Sequence, residues 1–145
     1  MMDQDRLKHC LAVANKMVEI GKLKSCNDEE LKELFVLGFN HDIGYAFDTG
    51  VNHNEVGYNM LKKCDYKYSN EVLYHGKPDC SYKSFYLDIL NCADMMIDKY
   101  GNDVGFDKRL EDIKSRYGES SIPYQNCLKL VDKLKMFIRG WFIWI

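Results

Sequence analysis

Residues 27–44 read NDEELKELFVLGFNHDIG, and the rest of the chain is arranged around them. Asn27 followed by Asp28, Glu29 and Glu30 is a helix-start signal: an asparagine cap, acids in the first turn, and Glu30 placed for a capping box. Leu31, Leu34, Phe35 and Leu37 carry that helix toward His41. Gly38, one turn earlier than His41, is where a small residue lets another helix come close. Gly44 breaks the helix, so residues 45–51 are predicted to form a loop over whatever His41 and Asp42 build. An imidazole beside a carboxylate offers one nitrogen and one oxygen to a metal ion from adjacent positions.

The other three histidines fall one to each neighbouring helical segment. A first helix is predicted over residues 3–20, with Leu7, Cys10, Leu11, Ala14, Met17 and Val18 at helical spacing and Gly21 as its stop. It carries His9, and Arg6 shares a face with it. Arg6 is either a planar fork for a substrate phosphate or an exposed arginine near a helix start. A third helix runs from about Asn52 through Val56, Met60 and Leu61 to Cys64. His53 in its first turn reads, taken alone, as an exposed or capping residue. Ser69-Asn70-Glu71 starts a short helix ending at His75, and Gly76-Lys77-Pro78-Asp79 is a turn, so His75 and Lys77 mark a credible site edge.

Residues 84–100 are apolar almost all round, which predicts a central helix. Asp94 lies in it. An unpaired carboxylate is expensive to bury, so Asp94 should coordinate a metal or pair with a cation. Asp98, one turn later, reads as an outer or surface acid.

The order His9, His41-Asp42, His53, His75, Asp94 resembles the HD-domain superfamily of metal-dependent phosphohydrolases. The local wording is similar too, in Arg6-Leu7-Lys8-His9, His53-Asn54-Glu55-Val56-Gly57 and Ala93-Asp94-Met95-Met96-Ile97-Asp98. The resemblance implies a ligand quartet of His9, His41, Asp42 and Asp94. It implies His53 and His75 as the pair that two-metal members add, with Asp42 bridging the ions. It implies one or two divalent cations, which ligand types alone leave open among Fe, Mn, Zn, Ni, Co and Mg. A metal-activated water would attack a phosphoester or phosphoanhydride, so no serine or cysteine nucleophile is needed.

Two subfamilies are set aside by wording: there is no Gly-Tyr-Pro, and Tyr45-Ala46-Phe47 stands where stringent-response hydrolases carry an acidic pair. The ligand set and size look most like the small bacterial symmetrical diadenosine tetraphosphate hydrolases. The chain departs from an HDIGK-like string at Tyr45, which can donate a hydrogen bond to phosphate but brings no charge; Lys77 or Arg6 could supply it. The implied substrate is a small nucleotide or dinucleotide. The alternatives are a non-nucleotide phosphoester, a di-iron oxygenase, and a binding module without turnover.

Composition bounds the rest. The 145 residues suffice for one domain with a sizeable core. A net charge of −2 gives no reason to expect nucleic-acid binding. No apolar run is long enough to span a bilayer, and the first residues do not read as a charged-then-apolar leader. Six cysteines without a CxxC pair read as reduced thiols of a cytoplasmic protein. Residues 106–117 read as a solvated outer helix, and Pro123 suits the first turn of a last one. The tail 136–145 is strongly apolar, which predicts packing on its own domain or a homodimer contact, with a membrane-surface anchor as the outside reading. The expected fold is all-α: a compact single-domain bundle over residues 1–145, motif-bearing over about 6–100, with C-terminal helices over 106–145.

Overall fold

The computed structural model describes residues 2–47 and 52–142, with side chains through residue 139. Among the described residues seven α-helices follow one another: α1 Gln4–Leu23, α2 Asp28–Asn40, α3 His53–Lys63, α4 Ser69–Tyr74, α5 Phe85–Met96, α6 Gly105–Tyr117 and α7 Ile122–Phe142. A 3-10 turn, Ile43–Ala46, stands between α2 and α3. The fold is all-α, and a single bridge between Ile97 and Asp103 is the only strand-like pairing among the described residues.

Local chemistry sets the helix starts. Asp3 accepts from the Arg6 N–H at 2.7 Å, and Ser84 accepts from the Leu87 N–H at 2.9 Å. Asn27 and Glu30 close the capping box in both directions, at 2.8 and 2.9 Å.

Helix α1 packs on α2 and α5, while α6 and α7 pack on each other and on α5. The crossing of α1 and α2 depends on Gly38, where a Cβ would lie 2.7 Å from the Ala14 Cα. Val13, Met17, Ile20, Leu34, Leu37, Ile89, Leu90, Val131 and Leu134 form the core between these helices.

Several boundaries and faces differ from the sequence reading. Gly21 does not stop α1; it is buried inside the helix, where a Cβ would meet Leu34 at 2.6 Å. The chain turns at Ser25, with φ of 63°. The buried stripe of α1 runs through His9, Cys10, Val13, Ala14, Met17, Ile20 and Gly21, leaving Leu7 and Leu11 exposed. Met60 is exposed as well. Helix α5 ends at Met96 rather than near Tyr100, because Ile97 turns extended and residues 98–103 fold back. Gly101, with φ of 88°, lets that turn press against the Lys8 carbonyl, where a Cβ would lie 2.8 Å from the oxygen. The start of the segment expected to loop over the site is the 3-10 turn; residues 48–51 lie outside the described residues, as do the side chains of the apolar tail from residue 140. No described helix is long and apolar enough to cross a membrane.

Candidate metal centre

Six imidazole and carboxylate side chains from five segments meet at one cleft. His9 comes from α1, His41 and Asp42 from the end of α2, His53 from the first turn of α3, His75 from the end of α4, and Asp94 from α5. His9, His41, Asp42 and His75 are buried; His53 is the most open of the histidines, with a third of its side chain exposed.

Asp42 organises the geometry. Its Oδ2 lies 3.2 Å from His41 Nε2 and 3.8 Å from His9 Nε2. Its Oδ1 faces the other way, 3.3 Å from His75 Nε2 and 3.7 Å from His53 Nε2. Asp94 Oδ1 completes the first side, 2.9 Å from His9 Nε2 and 3.3 Å from His41 Nε2. Two imidazole and carboxylate donor groups result, His9/His41/Asp94 and Asp42/His53/His75, each with its ligand atoms within 4.8 Å of one another; Cys10 forms a third such set with His41 and Asp42.

The outer contacts orient the rings. Backbone carbonyls hold Nδ1 of three histidines: Gly38 O on His41 at 2.6 Å, Val72 O on His75 at 2.6 Å, and Asp98 O on His9 at 2.8 Å. That leaves each Nε2 with its lone pair toward the centre when Nδ1 is the protonated nitrogen, the arrangement metal-binding histidines use. Asp98 therefore acts through its main chain, while its carboxylate accepts from the Tyr100 and Asn102 N–H groups at 2.9 Å. Asn54, buried on α3, donates to the carbonyls of Leu73 and His75 at 3.2 and 3.0 Å. Gly76 N–H donates to Asn91 Oδ1 at 2.9 Å, which fixes the turn after His75 to α5.

The donor set fits a divalent cation. His41 Nε2 is buried in the middle of the cluster and has no hydrogen-bond partner. Burial would lower the His41 pKa, yet Asp42 and Asp94 hold it well above the usual imidazole range. Burial would likewise raise Asp42 and Asp94, yet the facing histidines hold both well below the usual carboxylate range. The cluster thus calls for positive charge at its centre, and a divalent ion supplies more of it than an imidazolium.

The remaining sequence candidates line the same cleft, which has a volume of about 490 Å³. Arg6 Nη1 donates to Asp42 Oδ2 at 3.0 Å, and its guanidinium lies 3.9 Å from the centre of the Tyr45 ring. Tyr45 also stacks on His53 at 3.9 Å. The tyrosine that replaces a lysine is therefore a platform under two cleft residues. Lys77 stands on the turn after His75. That turn is tied down by Lys133, which donates to the Pro78 carbonyl, and by Glu71, whose Oε2 accepts from Tyr82 and Ser84.

Arg109 from α6 and Pro123 and Asn126 from α7 also line the cleft, and the sequence reading gave none of them a site role. Helix α6 had read as a solvated outer helix, and nothing in its periodicity singles out Arg109 from its other cations. Asn54 and Asn91 were equally silent, because asparagines that bridge carbonyls carry no sequence pattern.

The HD-domain family model matches residues 6–136, and the chain belongs to that family. Its members are in general metal-dependent hydrolases of the phosphohydrolase superfamily, and the buried His/Asp groups are compatible with a divalent ion. No curated protein and no solved structure matches the chain.

Proposed function

We propose that this chain hydrolyses a phosphoester or phosphoanhydride of a nucleotide or dinucleotide at a two-ion centre. The observation that carries this reading is the split of Asp42, whose two oxygens face two separate donor groups. A carboxylate in that position suits a bridge between two cations, with His9, His41 and Asp94 on one side and His53 and His75 on the other. Bound divalent ions would supply an activated water and neutralise the charge of a phosphoryl group.

The chain's own residues do the rest. Arg6 donates to Asp42 Oδ2 and fixes the orientation of the carboxylate that would lie between the ions. Tyr45 fixes His53 and Arg6 by ring contact, and its hydroxyl remains a candidate donor to a phosphate oxygen. Lys77 places a cation at the cleft edge for a phosphate or a leaving group. The arrangement of ligands keeps the small symmetrical dinucleoside tetraphosphate hydrolases as the preferred likeness. Six unpaired thiols suit a reducing compartment, in keeping with a cytoplasmic enzyme.

The test is a screen of nucleotides and dinucleoside polyphosphates with added manganese, iron or cobalt, comparing wild type with Asp42→Ala. Turnover by wild type that vanishes in the variant supports the reading. Turnover of only non-nucleotide phosphoesters would move the substrate class, and metal retention without any turnover would leave a binding module.

A further inference from the structure

We propose that Arg109 binds a substrate phosphate other than the one attacked, so that the substrate carries an oligophosphate chain. The inference rests on the phosphohydrolase reading for the identity of the ligand. Its grounds are the state of the cations around the cleft. Arg6 is committed to Asp42 and to the Tyr45 ring. Arg109 has no such close partner: among the described residues its guanidinium makes no hydrogen bond and no ion pair, its Nε is buried without a partner, and only at longer range does its charge act on Asp98 and Cys127. An arginine whose Nε is shut off from water and unmatched by protein is unusual, because the group is strongly polar and the loss of its hydrogen bonds is costly.

The position of Arg109 indicates the missing partner. It lines the metal cleft from α6, while all six candidate ligands come from segments before residue 95. It also lines an adjoining cavity of about 320 Å³ with Lys99, Tyr100, Arg116 and Asp112, the last paired with Lys108. The guanidinium therefore stands where the two hollows meet, with further cations beyond it. Asp98 lines that cavity too, but its carboxylate is occupied by the N–H groups of Tyr100 and Asn102. A phosphate chain leaving the metal centre on this side passes a planar fork that matches phosphate oxygens two at a time. A lone monophosphate held at the centre would not need it. Nucleoside di- or triphosphates and dinucleoside polyphosphates fit; simple monoesters do not use this residue.

Two measurements on the full chain loaded with manganese test this. In the first, calorimetric titration with inorganic triphosphate compares wild type, Arg109→Ala and Arg109→Lys. Because Arg109 makes no hydrogen bond or close ion pair, its removal leaves no orphaned partner, and all three proteins should keep nearly the same thermal midpoint and metal content. Wild type should bind. Arg109→Ala should lose about 10- to 100-fold in Kd, the range of a charge-assisted hydrogen bond, and Arg109→Lys should fall between. A wild-type chain that does not bind, or a Kd in Arg109→Ala within about twofold of wild type, overturns the assignment. In the second, Arg109→Ala should raise KM for an oligophosphate substrate by a similar factor, and by several-fold more than it raises KM for p-nitrophenyl phosphate. Equal losses on both substrates overturn it as well. Triphosphate binding through Arg109 without turnover of anything would sink the hydrolase reading and leave an anion site. Turnover that depends on Asp42 but ignores Arg109 would sink only this inference.

Discussion

Gly44 sits directly against the main chain of His53: a Cβ at position 44 would lie 1.9 Å from the His53 carbonyl oxygen. The glycine after the His-Asp pair thus sets how closely the first turn of α3 approaches Asp42. Gly44→Ala must push that turn away, since backbone cannot yield as a side chain can. The expected cost is about 1–3 kcal/mol or more of stability, with His53 displaced from the cleft. Thermal unfolding and metal content together check this; a variant with wild-type values for both would show that the close approach is dispensable.

Asp42 faces all four histidines of the centre and Arg6, so its loss should be the most severe. In Asp42→Asn the shape is kept and the charge is lost. Metal affinity should fall by more than the roughly 10–100-fold that removal of an outer-sphere partner costs. Elemental analysis of the dialysed protein reads this directly. The same variant should no longer show the rise in thermal midpoint that added metal gives wild type, because an ion that binds only the folded state stabilises by mass action.

The two donor groups should separate by mutation. His9→Ala and His53→Ala act on opposite sides of Asp42, and His53 is the more exposed ligand. Wild type should retain two ions per chain, and His53→Ala one, with the ion on the His9 side kept. A wild-type ratio of one ion per chain would rule out the paired centre and leave a mononuclear site.

Asn54 links α3 to the end of α4 through two carbonyls. Asn54→Ala leaves both carbonyls unmatched in a buried place, at about 1–3 kcal/mol. His75 should lose its fixed orientation in the process. The prediction is a drop in the denaturant midpoint together with weaker binding of the second ion, and Asn54→Asp should not rescue it, because a carboxylate cannot donate.

Away from the cleft, Glu33 accepts from Tyr68 at 2.5 Å and from Tyr86 at 3.1 Å. The Tyr68 bond is the main cause that holds its carboxyl below the ordinary 4.5. A carboxyl depressed in the folded state adds stability above its unfolded pKa and loses it as pH falls through the folded one. Acid unfolding of wild type below about pH 4.5 should therefore include a Glu33 contribution. Glu33→Gln should lower stability by about 0.5–1 kcal/mol at neutral pH and make the acid limb shallower, as followed by circular dichroism. An unchanged limb would mean the two tyrosines are held by packing alone.

The sequence by itself determined the helical class and most helix starts, because caps and apolar spacing act over a few residues and need no tertiary partner. Asn27 with Glu30 and Ser84 with Leu87 are of this kind. It also pointed to the candidate ligand types, since imidazoles one to a segment and an aspartate in an apolar helix stand out in one dimension. Only the tertiary structure decided what each side chain faces. Gly21 looked like a stop and became a contact, because Leu34 from another helix fills the space its missing Cβ leaves. Leu7 and Leu11 shared the helical spacing of the core and ended up on the outer face, since the neighbours of α1 lie on the His9 side. Arg6 is drawn to Asp42, while Arg109, from a helix with no distinguishing pattern, arrives at the cleft unmatched. Such relations join residues far apart in the chain, and the physics that fixes them, close packing and the pairing of buried charge, is set by which surfaces meet.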